Sequence, residues 1–442
     1  MTDTEPTAGS DEIIDELRSW LEESWDPDIT VREWWERLGL AGWAAPILPT
    51  NAYGRGLSRN DGVRVQNEIA EFGALGAPGG LGLLLAAPTI ATHGTQEQID
   101  LYVREIVTGV KAWCQLFSEP GAGSDLAGLT CKADKDGDEW IVNGQKVWTS
   151  LGHMADMGML IARTDPEAPK HQGITWFGID MHQPGIDVRP LVEMTGHAMF
   201  NEVFLSDARV PDAAIIGERG KGWAVANTTL AYERSGLGAG GGSAAAGMAL
   251  PGSVAGQLDQ RAGDFVSGPV KKRRSGGGGA AAAMGSSGKM LIDLAKGNGA
   301  AADPTIRQDL VRLHTMGELA RFNNLRLKAA KQAGKDIPGM ANLSKLAMSD
   351  MVRLSRDLSL RIVGPAGTLH PYTDEQRAAN DEATGNPFLP MITGMALWAQ
   401  APPIYGGTDQ IQKNIVGERV LGLPKEPSHD KDTPFSSLPR NA

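Results

Sequence analysis

The chain has 442 residues, 41% hydrophobic and 21% charged, and a formal net charge of -11. That length supports two or three domains around an ample core, and the acidic balance excludes a nucleic-acid binder, which needs a concentrated basic surface. Only two cysteines occur, Cys114 and Cys131, so no disulfide framework is implied.

The acidic start, Met1 to Asp11, has no signal-peptide character, and the apolar stretch Leu81 to Ala91 falls short of the ~20 residues of a membrane span. A cytoplasmic setting without membrane association is expected. Residues 1–112 read as a helical domain: Ile13, Ile14, Leu17 and Leu21 share a face, and Asn67 to Phe72 continues without strand-like alternation. Residues 113–212 read as a β domain. The hairpin signal Asp136-Gly137 lies between Leu129, Cys131, Ala133 and Trp140, Val142 at period two. Further strand-like runs, Met159 to Ala162, Ile174 to Ile179 and Ile186 to Leu191, are separated by Pro, Asp and Gly. Helical character returns in residues 213–442, where Ile306 to Gln332 places Leu310, Leu313 and Met316 on one stripe. The fold class is α+β in the order α, β, α.

Within the last domain, residues 236–300 form a Gly/Ala/Ser-rich insertion that reads as helix interrupted by a long flexible loop. Its basic knot Lys271-Lys272-Arg273-Arg274 reads as a solvated charge run or as a contact for a phosphate-bearing ligand. The G-x-G-x-x-G from Gly236 to Gly241 follows a helical run and lacks a βαβ setting, so it is not read as a dinucleotide fingerprint.

The eight histidines stand in no metal-ligand spacing, neither cysteine is in a C-x-x-C pair, and there is no G-x-S-x-G elbow. Three loops remain. Ser118-Glu119-Pro120-Gly121-Ala122-Gly123-Ser124-Asp125, after Gln115 and Phe117, has small residues that let backbone amides approach an anionic or carbonyl-rich ligand, and alone is also an ordinary tight turn. Asn143 to Ser150 brings Trp148, Thr149 and Ser150, a flat ring and hydroxyls, to a strand end, although a lone Trp is usually core packing. Tyr405-Gly406-Gly407-Thr408-Asp409-Gln410-Ile411-Gln412 leads into helix and alone is a Thr-capped N-terminus.

In this order and spacing the three loops resemble the acyl-CoA dehydrogenase family over nearly the whole chain. Pro49 to Leu57, His93 to Gln98 and Glu218 to Trp223 look like further family landmarks. The resemblance implies a helical N-terminal domain, a β-barrel-like middle domain and a C-terminal helical bundle. It implies FAD held by Gln115, Phe117, Ser118, Gly123, Ser124, Trp148, Thr149, Ser150, Arg361, Gly364, Thr408 and Gln410, with Ser150 reaching flavin N5. Ser124, Arg234 and Gly406 match positions near the acyl-CoA substrate.

Many family members carry the catalytic Glu directly after the Tyr of the third loop, where this chain has Gly406. A subset presents it from the first C-terminal helix before an Arg, and Tyr232-Glu233-Arg234 stands there, so the resemblance makes Glu233 the base. The reading without the family match is a surface Glu-Arg pair. The family's Arg-x-x-Phe-Gly segment, which contacts FAD from a neighbouring subunit, is replaced by Ala295 to Ala300. That points to a mixed assembly with a related chain as an alternative to a homo-oligomer.

The expected activity is dehydrogenation of an acyl-CoA to a trans-2-enoyl-CoA, with electrons passed to an electron-transferring flavoprotein. The alternatives are a non-catalytic subunit completing a related chain's site, and an oxygen-using oxidase or flavin monooxygenase of the same fold.

Overall fold

A computed structural model describes residues 8–238, 257–266, 280–335, 337–427, 430 and 432–439. The first helices, Ala8–Ser24, Val31–Leu40 and Arg59–Phe72, turn Ile14, Leu17, Leu21, Trp34, Trp35, Leu38, Val65 and Ile69 inward. Thr30 caps the second helix and Ser58 the third, each accepting an amide from the first turn. The indoles of Trp34 and Trp35 are buried and donate to Leu75 O and Gly76 O, so both bring large apolar area inside with no orphaned N–H. Helical turns through Gly82–His93 and Gln96–Val107 complete this domain.

The middle region is one seven-stranded sheet: β1 Trp113–Leu116, β2 Lys132–Asp136, β3 Glu139–Ser150, β4 Met157–Arg163, β5 Ile174–Asp180, β6 Ile186–Leu191 and β7 Phe200–Pro211. The order is β1-β4-β2-β3-β7-β6, with β5 also paired to β4. β2 and β3 form the expected hairpin, and Gly137 takes φ 60 in its turn. The period-two residues Leu129, Cys131, Ala133, Trp140 and Val142 are all buried, because alternate side chains on a strand face one side. One sheet face, with Trp113, Met157, Met159, Ile161, Ile174 and Trp176, joins the core of the N-terminal helices. The other closes over Cys114, Leu116, Trp140, Leu160, Phe177 and Val203.

The helix Gly222–Gly238 begins flush against the sheet: a Cβ on Gly222 would lie 2.5 Å from Trp176 N, so only glycine permits this approach. Its Val225 and Ala226 enter the core of the N-terminal helices. The helices Ala280–Gly297, Pro304–Gln332, Met340–Val363, Asp374–Thr384, Leu389–Trp398 and Asp409–Ile415 follow. They build a separate core on Leu291, Leu310, Leu313, Met351, Leu358 and Ile362.

The insertion departs from a simple flexible loop. Residues 257–266 lie along the N-terminal domain: Val31 N–H donates to Gln260 O (2.9 Å), Ala262 N–H to Ile29 O (2.8 Å), and Arg32 pairs with Asp259. Ala262 is fully buried there. The pairing comes from distant backbone groups, which local composition does not reveal. Lys271 to Arg274 lie outside the described residues, as does the second half of the Gly236 to Gly241 motif; its first three residues end the Gly222–Gly238 helix.

Candidate active site

β1 runs into the Gly-rich loop, and β3 ends beside it. Val147 N–H donates to Ser118 O at 2.9 Å, joining the two. Beneath them the fully buried Lys146 ammonium donates to Phe117 O (3.0 Å) and to Glu119 Oε1 (2.9 Å). Glu119 also accepts the Thr130 N–H (2.6 Å), the Thr130 hydroxyl (2.8 Å) and the Cys131 N–H (2.9 Å). Burial by itself would raise the Glu119 carboxyl, but the Lys146 ammonium and the backbone amides outweigh it and hold the group below its ordinary value of 4.5. A buried charge left unpaired is expensive, so this cluster fixes the loop's path. Both residues stand inside the sequence motifs; the signal that could have exposed them is a lysine at an inward position of β3.

Trp148 adopts φ 59 at a register shift between Lys146 and Thr149, and its indole is 61% exposed. Its ring meets Phe200 edge-on at 5.8 Å, and Phe200 pairs across the ladder with Ser150. Trp148, Ser150 and Phe200 therefore share a face. Thr149 pairs with Asn201 on the opposite side and is fully buried, its hydroxyl without a partner, while its carbonyl accepts Asn201 Nδ2 at 2.9 Å. Strand alternation thus removes the Thr149 side chain from the face of Trp148 and Ser150. Asn201, missed in the sequence, holds the bulge from inside; a polar residue at an inward β7 position was the available signal.

Glu233 is half-buried on the Gly222–Gly238 helix. Gly222, Ala226, Thr229 and Glu233 follow one another at helical spacing, and the first three are buried. The Thr229 hydroxyl meets the buried Thr89 hydroxyl at 3.1 Å, and Thr228 meets His93 Nε2 at 2.8 Å, tying the helix to the N-terminal domain. The His93 imidazole is pushed below its ordinary value by burial. This stripe carries Glu233 toward β1, where Gln115 Nε2 donates to Glu233 Oε2 at 3.4 Å. The Arg234 side chain lies outside the described residues.

Gly123 and Ser124 are exposed on their loop, and Phe117 is buried behind it. The third loop is built differently. Gly406 and Gly407 take φ 62 and 82, and Gln412 Nε2 donates to both of their carbonyls (3.0 and 3.4 Å). The Thr408 hydroxyl caps the next helix by accepting Ile411 N–H at 3.1 Å, and Gln410 is exposed. Buried Asp409 receives Lys345 (2.9 Å), Ser349 (2.8 Å) and Arg353 (2.5 Å); burial opposes ionisation, but these bonds keep its carboxyl below the ordinary value. Arg361 is engaged with Asp309 and Thr305, and Gly364 ends its helix at φ 62.

An open indole, the Ser118 and Ser150 positions beside it, and a loop with Gly121 and Gly123 form a donor set that fits a flavin. The helical, β and helical units in this order, with that donor set on the β unit, fit an FAD-binding fold. Residues 9–110, 114–208 and 275–421 match the N-terminal, middle and C-terminal domains of acyl-CoA dehydrogenases, and the chain belongs to that family, with FAD as cofactor and acyl-CoA as substrate class. It is 34% identical to acyl-CoA dehydrogenase IpdE1 of Mycobacterium tuberculosis over 398 residues, 89% of this chain and 88% of that protein. Among solved structures it is similar to the ChsE4-ChsE5 complex from Mycobacterium tuberculosis (26% identity, TM-score 0.65, 96% of this chain and 100% of that chain). A variant of the Tcur3481-Tcur3483 steroid ACAD is similar at 25% identity and TM-score 0.63, over 96% of this chain and 100% of that chain. Among the described residues no helix is long and apolar enough to cross a membrane.

Proposed function

We propose that Glu233 is the base of this acyl-CoA dehydrogenase, and that the substrate carries a bulky, ring-containing acyl group such as one derived from a steroid. The observation that carries the first half is the inward stripe ending in Glu233 Oε2, 3.4 Å from Gln115 on β1. The second half is supported by Gly406, which leaves the usual side chain out of the pocket, and by the likeness to a steroid ACAD.

The α-C–H of a thioester is too weak an acid for a carboxylate unless the developing enolate oxygen is stabilised. Glu233 takes the α-proton, and the Gly406 N–H is assigned to the thioester oxygen, a role that needs no side chain. Trp148, Ser118 and Ser150 hold the cofactor ring, and Ser124 faces the substrate. Thr408 and Gln410, at the start of the Asp409–Ile415 helix, are assigned to FAD, and Arg361 and Gly364, at the end of the Met340–Val363 helix, to FAD across a subunit boundary. Bound FAD supplies the acceptor for the β-hydrogen and its electron pair. The product is a trans-2-enoyl thioester, and the electrons pass on to an electron-transferring flavoprotein.

A mixed assembly with a related chain is favoured by one further observation. Where the family's Arg-x-x-Phe-Gly stands, the Ala280–Gly297 helix ends and Asn298 donates to Ile362 O at 2.7 Å, so this segment is tied inward.

The test is the visible spectrum of the purified chain before and after anaerobic addition of straight-chain, branched and steroid-bearing acyl-CoA thioesters. Flavin bleaching by the bulky thioesters, slowed about 10²- to 10⁴-fold in Glu233→Gln with FAD retained, is the expected outcome. Bleaching of Glu233→Gln at the unaltered rate removes Glu233 as base. A chain that holds FAD only when purified with a related chain has a shared site. Rapid reoxidation by molecular oxygen would instead mark an oxidase.

A further inference from the structure

The far edge of the substrate loop is held by residues some three hundred positions away. Lys170, between β4 and β5, is 12% exposed, and its Nζ lies 3.2 Å from Asp125 Oδ2 and 2.5 Å from Asp430 Oδ2. One ammonium therefore bridges the residue after Ser124 to the C-terminal segment. Arg163, at the end of β4 and 3% exposed, donates to Ala127 O (2.7 Å), Leu129 O (3.2 Å) and Lys170 O (3.1 Å), bracing the same loop where it descends toward β2. The Phe435 ring covers its guanidinium at 3.5 Å.

Phe435 is itself fixed by backbone pairing. Its N–H donates to Ala168 O (3.0 Å), Ser436 N–H donates to Pro166 O (2.8 Å), and Pro169 bridges Pro434. Next to Lys170, the His171 ring stands edge-on to Trp223 at 5.0 Å, so the same connection touches the start of the Glu233 helix. Two cations, one aromatic ring and a short stretch of paired backbone thus hold one short loop.

We propose that Asp430 and the segment Asp432 to Leu438 act as a strap that sets the Ser124–Asp125 loop for acyl-CoA, with Lys170 and Phe435 as positioning residues. The inference rests on the assignment of Ser124 to the substrate side. Lys170 draws Asp125 down, Arg163 anchors the carbonyls of Ala127 and Leu129, and the strap keeps both cations in place. Glu233 lies further along its helix than Trp223, beyond the Thr229–Thr89 and Thr228–His93 contacts that hold the helix, so loosening the strap weakens substrate binding while the proton-transfer step stays intact.

The test compares the unaltered FAD-loaded protein with full-length Phe435→Ala, full-length Lys170→Met and a chain stopped after Pro427. Three quantities are read: amide exchange of residues 121–128, coenzyme A affinity by calorimetry, and kcat and KM with a bleaching acyl-CoA. Loss of one cation–ring contact predicts faster exchange in 121–128 and about fivefold weaker coenzyme A binding, with a parallel rise in KM. An unaltered kcat separates positioning from general damage. Unchanged exchange in both full-length variants overturns the strap. Faster exchange with unaltered coenzyme A affinity and KM overturns its role in substrate binding and the assignment of Ser124 together, leaving Glu233 untouched.

Discussion

The loop cluster around Glu119 and the Pro304–Gln332 helix treat their side chains in opposite ways. Around Glu119 each carboxylate oxygen is met from within the chain, by Lys146, Thr130 and Cys131, and the core beneath runs without a break from Ile14 through Trp113 and Trp176 to Val225. The Pro304–Gln332 helix buries Leu310 and Leu313 but leaves Val311, Leu319, Phe322 and Leu325 57, 57, 55 and 53% exposed on one face. Scattered exposed apolar residues are ordinary, whereas a stripe along one helix face is a kind of surface that protein interfaces use. The Glu119 cluster is satisfied within the chain; the exposed stripe of the Pro304–Gln332 helix is not covered by it.

The sharpest way to break this comparison is Lys146→Met, which leaves Glu119 buried beside an apolar side chain. Removing one partner of a buried pair costs about 3–5 kcal/mol, read as a lower urea midpoint together with loss of bound FAD. If the drop is no larger than for a charge removed from the exposed helix, the Glu119 cluster is not what holds the site.

The same pair can be probed by pH. Glu119 is held below 4.5 in the folded chain, so its stabilisation is fully present above that value and is lost as pH falls through the lower folded value. Thermal melts below pH 4.5 should therefore fall more steeply for the unaltered protein than for Glu119→Gln, which starts less stable and carries no such titration. Parallel slopes would show that the carboxylate is not the group responsible.

On the Pro304–Gln332 helix, Phe322→Glu places a charge in the exposed stripe. The expected result is a smaller assembly by light scattering, with the unfolding midpoint of the isolated chain moved by no more than about 0.5 kcal/mol. An unaltered mass would take the stripe out of the interface. Thr229→Val removes the hydroxyl contact to Thr89 at a cost of about 1 kcal/mol; kcat should fall while KM holds, because the contact lies on the Glu233 helix and not on the substrate loop.

Much of the fold was legible because its signals are local. The period-two run on either side of Asp136-Gly137 specified the β2–β3 hairpin, and Leu310, Leu313 and Met316 marked the inner stripe of the Pro304–Gln332 helix. Periodicity and turn chemistry act over a few residues, so one sequence suffices to read them. In the Gly/Ala-rich insertion residues 257–266 are irregular, as composition implies, but composition does not show that they find backbone partners at Ile29 and Val31. Thr149 was grouped with its neighbours by motif, and only the register with Asn201 showed which way its side chain turns.

By itself the sequence determined the α, β, α order and the family, because each is written in short runs of residues. Only the tertiary structure decided that Glu233 meets Gln115 across 118 positions, that Lys146 supports the loop from below, and that Asp430 and Phe435 return to brace Asp125 and Arg163. Such pairings depend on which distant surfaces bury one another, a property of the whole packed chain that no local pattern encodes.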